Sequence, residues 1–180
     1  MSGHLTLTGR RTLVVEGCDG VGKTTLATRL AQDHGFTFVH SPRTPDHLDL
    51  AGRYRELLDR PGLLVLDRCF LSELVYGPLL RGRSRITWAQ AIDLAEAVVA
   101  RDGAFLHLTA PPTVIQQRLH QRDGQSAELA EVTALVASYQ RVFDALASYC
   151  PVETIDTTST GLPPARQASP VPQQTPPRAH

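Results

Sequence analysis

Lysine is almost absent from this 180-residue chain: of 18 basic residues only Lys23 is a lysine, and all the others are arginines. Cysteine is scarce as well. Cys18, Cys69 and Cys150 stand far apart, and no CxxC pair or mixed Cys/His spacing suggests zinc. The odd count suits a reducing compartment, so a cytoplasmic location is expected. Long apolar runs are missing too. None approaches the roughly 18 residues that a membrane span requires, so no membrane association is expected. The stretch from Met1 to Thr12 has no long apolar core and carries Arg10 and Arg11 near its end, which argues against a signal peptide. Nor is there a surplus of charge. The 18 acids balance the 18 bases, which excludes a mainly electrostatic grip on nucleic acid but leaves room for a local basic site.

What is present is enough apolar residue, 42% of the chain, for one domain with a core of its own. Residues 13–15 read as a first strand, 17–22 as a glycine-rich turn, and 24–33 as a helix with Leu26, Ala27 and Leu30 at core spacing. A strand over 37–40 is followed by a proline-marked loop and an amphipathic helix over 48–58. Residues 63–66 are four apolar residues in a row, as in a strand buried on both faces, and they run into Asp67 and Arg68. A short helix over 72–76, a loop over 77–85, and a helix over 87–99 with Trp88, Ile92, Ala95 and Val99 inward come next. The pattern closes with a strand over 104–108, helices over 113–122 and 127–148, and a strand over 152–155. Such alternation predicts a parallel sheet covered on both faces. The last twenty residues hold six of the 13 prolines, two arginines and no acid, so the rest of the chain is two charges negative. A folded domain over 1–160 and a disordered Pro/Gln-rich tail over 161–180 are expected.

Gly17-Cys18-Asp19-Gly20-Val21-Gly22-Lys23-Thr24 is a complete G-x-x-x-x-G-K-T loop between an apolar strand and a helix. Its glycines let backbone N–H groups face a polyphosphate, and the helix N-terminus adds a favourable dipole. Lys23 supplies a mobile point charge for the β- and γ-phosphates, which the planar fork of Arg would serve less well. Thr24 is placed to ligate Mg²⁺ and Thr25 to reach the α-phosphate. The single lysine leaves no room for the N-K-x-D motif with which GTPases read their base, and the chain is short for a AAA or helicase motor. A small phosphotransferase remains. Asp67, ending a buried strand beside the first, can hold Mg²⁺ or its waters, or accept a proton. Arg68 can steady phosphoryl oxygens. Arg118 and Arg122 share one helix face and can close over the phosphates as a lid. Arg43 follows the second strand, at the mouth of the sheet, where it can grip an acceptor phosphate. Arg81, Arg83 and Arg85 crowd one loop.

Residues 16–25, Glu16 through Thr25, closely resemble the P-loop of thymidylate kinases. Asp67-Arg68 looks like that family's D-R-(aromatic) motif, and Arg118 with Arg122 matches its lid arginines. The resemblance spans residues 12–157. It implies the P-loop NTPase fold, an α/β architecture with a five-stranded parallel sheet, helices on both faces and a short helical lid. It implies ATP and Mg²⁺, with γ-phosphoryl transfer to a deoxynucleotide. ATP phosphates would lie on residues 17–25, with Mg²⁺ on Thr24 and Asp67, and Lys23, Asp67, Arg68, Arg118 and Arg122 as the transfer groups. Asp19, Arg43, Phe70, Glu73 and Tyr76 would surround the acceptor, with Arg43 on its 5′-phosphate; Phe70 and Tyr76 each suit a stack on a pyrimidine and, equally, a place as a core aromatic.

Two stretches depart from the common pattern. Ser41-Pro42-Arg43-Thr44-Pro45 stands where bacterial and eukaryotic members usually carry R-E-P-G-G. Residues 67–78, DRCFLSELVYGP, look more like thymidylate-kinase-like proteins of bacteriophages. Some of that group phosphorylate hydroxymethyl-pyrimidine nucleotides, or 5-hydroxymethyluracil already in DNA. The expected acceptor is a thymidylate-like deoxynucleoside monophosphate. The alternative is the hydroxymethyl group of 5-hydroxymethyluracil in DNA, flipped from the duplex, with the 81–85 loop on the DNA backbone. A third reading is a regulatory module that binds ATP without turnover. The resemblance also suggests a homodimer through residues 48–58 and 88–99.

Overall fold

Parallel strands cannot be joined by tight hairpins, so each needs a crossover, and helices supply it throughout this chain. The structure, a computed structural model, describes residues 7–41, 45, 48–124 and 127–158. In chain order the elements are β1 (Thr12–Glu16), α1 (Lys23–His34), β2 (Thr37–His40), α2 (Leu50–Leu58), β3 (Leu64–Asp67) and α3 (Leu71–Arg81). Then follow α4 (Trp88–Val99), β4 (Gly103–Thr109), α5 (Pro112–Asp123), α6 (Leu129–Leu146) and β5 (Val152–Asp156). The sheet order is β2-β3-β1-β4-β5, and every pairing is parallel. β1 and β3 are buried at every position and β4 at all but its last, which is why their middles read as apolar runs, interrupted only by the buried His107 of β4. The edge strands β2 and β5 are mostly open to one side. In open α/β sheets ligands bind beyond the carboxyl ends of the strands, and the glycine loop lies at that end of β1.

Three sequence expectations change. Gly77 and Pro78 read as breakers, yet α3 continues through both to Arg81 and ends at Gly82, whose left-handed φ of 70° lets its N–H reach the Pro78 carbonyl. Proline's φ suits a helix and only one backbone bond is forgone, while Leu71, Val75 and Gly77 on the same helix are buried. The inward face of helix α4 is shifted: Ala95 is buried as expected, but its buried companions are Ala91, Leu94 and Val98, whereas Trp88 and Val99 are 43% and 39% exposed. Its alanines allow close approach, and Trp88 sits at the first turn, after the Thr87–Gln90 capping box. Leu129, whose spacing with Val132, Val136 and Tyr139 predicts a core position on α6, is likewise exposed. The tail expected over 161–180 lies outside the described residues, among which no helix is long and apolar enough to cross a membrane.

Candidate active site

The glycine loop turns directly out of β1. At Gly17 a Cβ would stand 2.4 Å from the Leu108 carbonyl oxygen, and the φ of 148° disfavours any side chain, so the loop closes against β4 only with glycine. Gly22, with φ 102°, is the N-cap of α1 and offers no side-chain cap. The first N–H groups of that helix therefore have no partner within it and are left for an anion. They border a cleft of about 470 Å³ lined by residues 19–25 with Arg68, Arg118, Arg122 and Thr157. Lys23 is buried, and its Nζ donates to the carbonyls of Gly17 and Cys18, at 2.8 Å each, and lies 3.5 Å from Asp19. Burial lowers its pKa, and Asp19 and Glu16 oppose that shift. Burial pushes the Cys18 thiol up to about 11, so this residue serves the loop through its backbone rather than as a nucleophile.

Asp67 is fully buried at the end of β3. Thr24 donates its hydroxyl to Asp67 Oδ2 at 2.7 Å, and His40 Nδ1 lies 3.1 Å from the same oxygen, as their register pairing on β2 and β3 requires. Asp67 Oδ1 has no partner among the described residues. A buried carboxylate with one open oxygen next to a threonine hydroxyl is a fitting donor set for a hard divalent cation that keeps most of its waters. The pair Thr24 and Asp67 thus fits Mg²⁺.

Arg68 leaves β3 with φ 71°, a conformation that costs a non-glycine residue on the order of 1 kcal/mol. The turn aims its guanidinium at Asp19 of the loop, with which it forms an ion pair. Glu16 holds that turn from behind. Its buried Oε1 accepts from the N–H of Cys69 at 2.7 Å, the N–H of Ser72 at 3.2 Å and the Ser72 hydroxyl at 2.9 Å. Phe70 gives α3 no side-chain cap, and Glu16, at the end of β1, caps that helix instead. Burial raises its pKa, against Lys23 and these donors.

A second cleft, of about 410 Å³, opens between α2 and α3 and shares Asp19 and Arg68 with the first. Glu73 and Tyr76 line it as expected, together with His40, Tyr54, Arg81 and Arg85. Phe70 does not. It is 1% exposed and meets Tyr54 and Phe105 edge-on at 5.8 and 6.0 Å, so it is a core aromatic. Arg43 lies outside the described residues. The arginine loop also departs from expectation: Arg81 and Arg85 turn inward onto Glu73, and Arg83 is exposed. On α5, Arg118 donates to Thr157 Oγ1 at 3.0 Å, while Arg122 forms two 2.7 Å bonds to neighbouring Asp123. Glu16, His40 and Thr157 were not foreseen as site residues. Glu16 carried a signal, an acid ending an apolar strand just before the loop; Thr157 carried none.

No family model and no curated protein matches the chain. Solved structures do. YorR from Bacillus subtilis, in complex with phosphorylated GDP, superposes with a TM-score of 0.70 at 21% identity, over 82% of this chain and 85% of that one. Deoxyadenosine kinase from M. mycoides with bound dCTP gives 0.53 at 14% identity, over 81% and 89%. Shikimate kinase from Acinetobacter baumannii with shikimate gives 0.51 at 18%, over 84% and 86%. Fold and glycine loop together define the class, a P-loop fold built on a five-stranded parallel sheet.

Proposed function

We propose that the chain is a phosphotransferase that moves the γ-phosphoryl of ATP to a thymidylate-like deoxynucleoside monophosphate. One observation carries the reading: the phosphate cleft and the second cleft meet at Asp19 and Arg68, so a donor and an acceptor can face each other across that pair. The backbone N–H groups of residues 20–24 and the ammonium of Lys23 would hold the ATP phosphates. Arg68 and Arg118 would neutralise charge that spreads over the transferring oxygens. Thr24 and Asp67 would hold Mg²⁺, which supplies further charge neutralisation when bound. A phosphate acceptor is already anionic at neutral pH, so the site needs no strong base, which agrees with a Glu73 carboxylate engaged by arginines. With Arg81 and Arg85 turned inward, the basis for a duplex-DNA acceptor weakens.

The test is transfer from γ-labelled ATP to a panel of deoxynucleoside monophosphates and, separately, to duplex DNA with and without 5-hydroxymethyluracil. Label on dTMP, dUMP or their hydroxymethyl forms is the expected result. Label confined to modified DNA would overturn the reading.

A further inference from the structure

Thr157 follows β5 directly, and its side chain joins helix α5 to the glycine loop. We propose that it is a positioning residue: its hydroxyl holds the Arg118 guanidinium against the loop, so that Arg118 meets the γ-phosphate of a bound nucleoside triphosphate. The inference rests on the kinase reading for one point, that the cleft over residues 19–25 takes that triphosphate.

Thr157 is buried and its backbone is fixed, since its N–H extends the pairing of β5 with β4 by donating to the Thr109 carbonyl at 2.8 Å. A hydroxyl has one proton to give. Its nearest acceptor is the Val21 carbonyl of the loop, at 2.9 Å, with the Thr109 carbonyl farther off at 3.3 Å. The lone pairs then serve Arg118, whose Nη1 donates to Thr157 Oγ1 at 3.0 Å while its Nη2 donates to the Thr157 carbonyl. Two bonds from separate nitrogens fix the plane of a guanidinium, as one could not. The helix that carries Arg118 is seated closely as well. Leu119, the next residue, lies against Gly20 of the loop, where an added Cβ would stand 3.0 Å from the Leu119 Cγ.

The charge of the partners matters as much as their position. Arg68, Arg118 and Arg122 all line the phosphate cleft. Arg68 is paired with Asp19 and Arg122 with Asp123, so each meets a carboxylate. Arg118 is clamped by neutral oxygens, and Asp156 beside it turns Oδ1 to the Thr158 N–H at 2.8 Å. A guanidinium held in this way keeps its charge for an incoming phosphate, and the rest of its N–H donors stay outside the clamp.

The experiment measures, for the full chain with Mg²⁺, binding of ADP and of a non-hydrolysable ATP analogue, with kcat and KM for transfer from ATP to dTMP. The ratio of the ADP to the analogue dissociation constant reads the grip on the γ-phosphate. It should fall by about tenfold in Arg118→Met and nearly as far in Thr157→Val, which keeps the shape but lacks the hydroxyl. In Thr157→Val kcat should also fall by about tenfold, with the KM for dTMP within about twofold of wild type. Thr157→Ser should restore both. On an Arg118→Met background, Thr157→Val should move either quantity by less than about twofold, because the group it positions is gone. A purely structural loss would weaken both nucleotides alike and add in full on either background. If Thr157→Val fails to fold, Thr157→Ala takes its place in the same cycle. Equal losses on both backgrounds, an unmoved ratio in Thr157→Val, or a Thr157→Ser no better than Thr157→Val overturns the proposal. A ratio lost in both single variants, with no monophosphate phosphorylated by the wild type, leaves the positioning role standing and removes the kinase reading. Transfer to dTMP with ratio and kcat unmoved in Thr157→Val does the reverse.

Discussion

Thr24 and Asp67 meet where α1 and β3 face each other: the threonine hydroxyl donates to Asp67 Oδ2 at 2.7 Å, while Oδ1, equally cut off from solvent, has no partner among the described residues. A carboxylate held so is suited to a cation. Asp67→Asn keeps the volume but removes the charge, and its phosphoryl transfer should drop by about a hundredfold or more at any Mg²⁺ concentration. Melting temperature should stay close to wild type. A Mg²⁺ titration of transfer in both proteins is the check, and superimposable curves would sink the assignment.

Lys23 should matter to ligand far more than to fold. Removing its ammonium forfeits two hydrogen bonds to loop carbonyls but also relieves the desolvation that lowers its pKa. Lys23→Met should therefore change the stability of the unliganded protein by no more than about 1 kcal/mol, because a buried charge and its bonds nearly offset. The rise in melting temperature caused by ATP and Mg²⁺ should vanish. Thermal melts with and without nucleotide test both halves. A surviving ATP shift would refute the role given to this residue.

Much of this arrangement was open to reading from the chain itself. The glycine loop, the apolar strand ending in Asp67 and the alternation of strands and helices depend on local pattern, so each fell where expected. What escaped depends on contacts distant in sequence. Phe70 follows Asp67-Arg68 and looks available to a ligand, yet Tyr54 and Phe105 enclose it. The arginines at 81 and 85 look like a surface patch until α3 runs through Pro78 and brings them back to Glu73. Glu16 is visible as an acid but its task, capping a helix that begins 55 residues later, belongs to the fold alone.

Phe70→Leu separates these two views of the residue. Shrinking a side chain packed between Tyr54 and Phe105 should lower stability by about 1–3 kcal/mol in urea unfolding. The acceptor KM should not change. A raised KM at unchanged stability would return Phe70 to the acceptor cleft.

His107 gives the protein a measurable sensitivity to acid. It is 2% exposed on β4, stacks on Phe143 at 4.2 Å, and has no partner at Nδ1 among the described residues. Burial pushes its pKa down to about 4, with Asp144 opposing. The unfolded chain takes up the proton near its ordinary value of 6.5 and the native protein only near 4, so stability falls as pH drops through that window. The slope is about 1.4 kcal/mol per pH unit, or roughly 3 kcal/mol in all. Urea unfolding of wild type and His107→Leu at pH 7, 6 and 5 tests this. The variant should lose less stability on acidification, and parallel losses would remove His107 from the account.

A sheet whose strands all run one way has two unlike rims. The residues assigned to chemistry lie at or beyond the carboxyl ends of the five strands, and among the described residues the turns at the opposite rim carry none of them. Arg101 ties that second rim together, donating to Thr12 Oγ1 at 2.9 Å and to the Gly62 carbonyl at 3.1 Å. The exposed residues Arg60 and Pro61 beside it are thus natural points for a dye or a surface anchor. A molecule held there keeps both clefts turned toward solvent, so the arrival and departure of nucleotide can be watched on single immobilised copies.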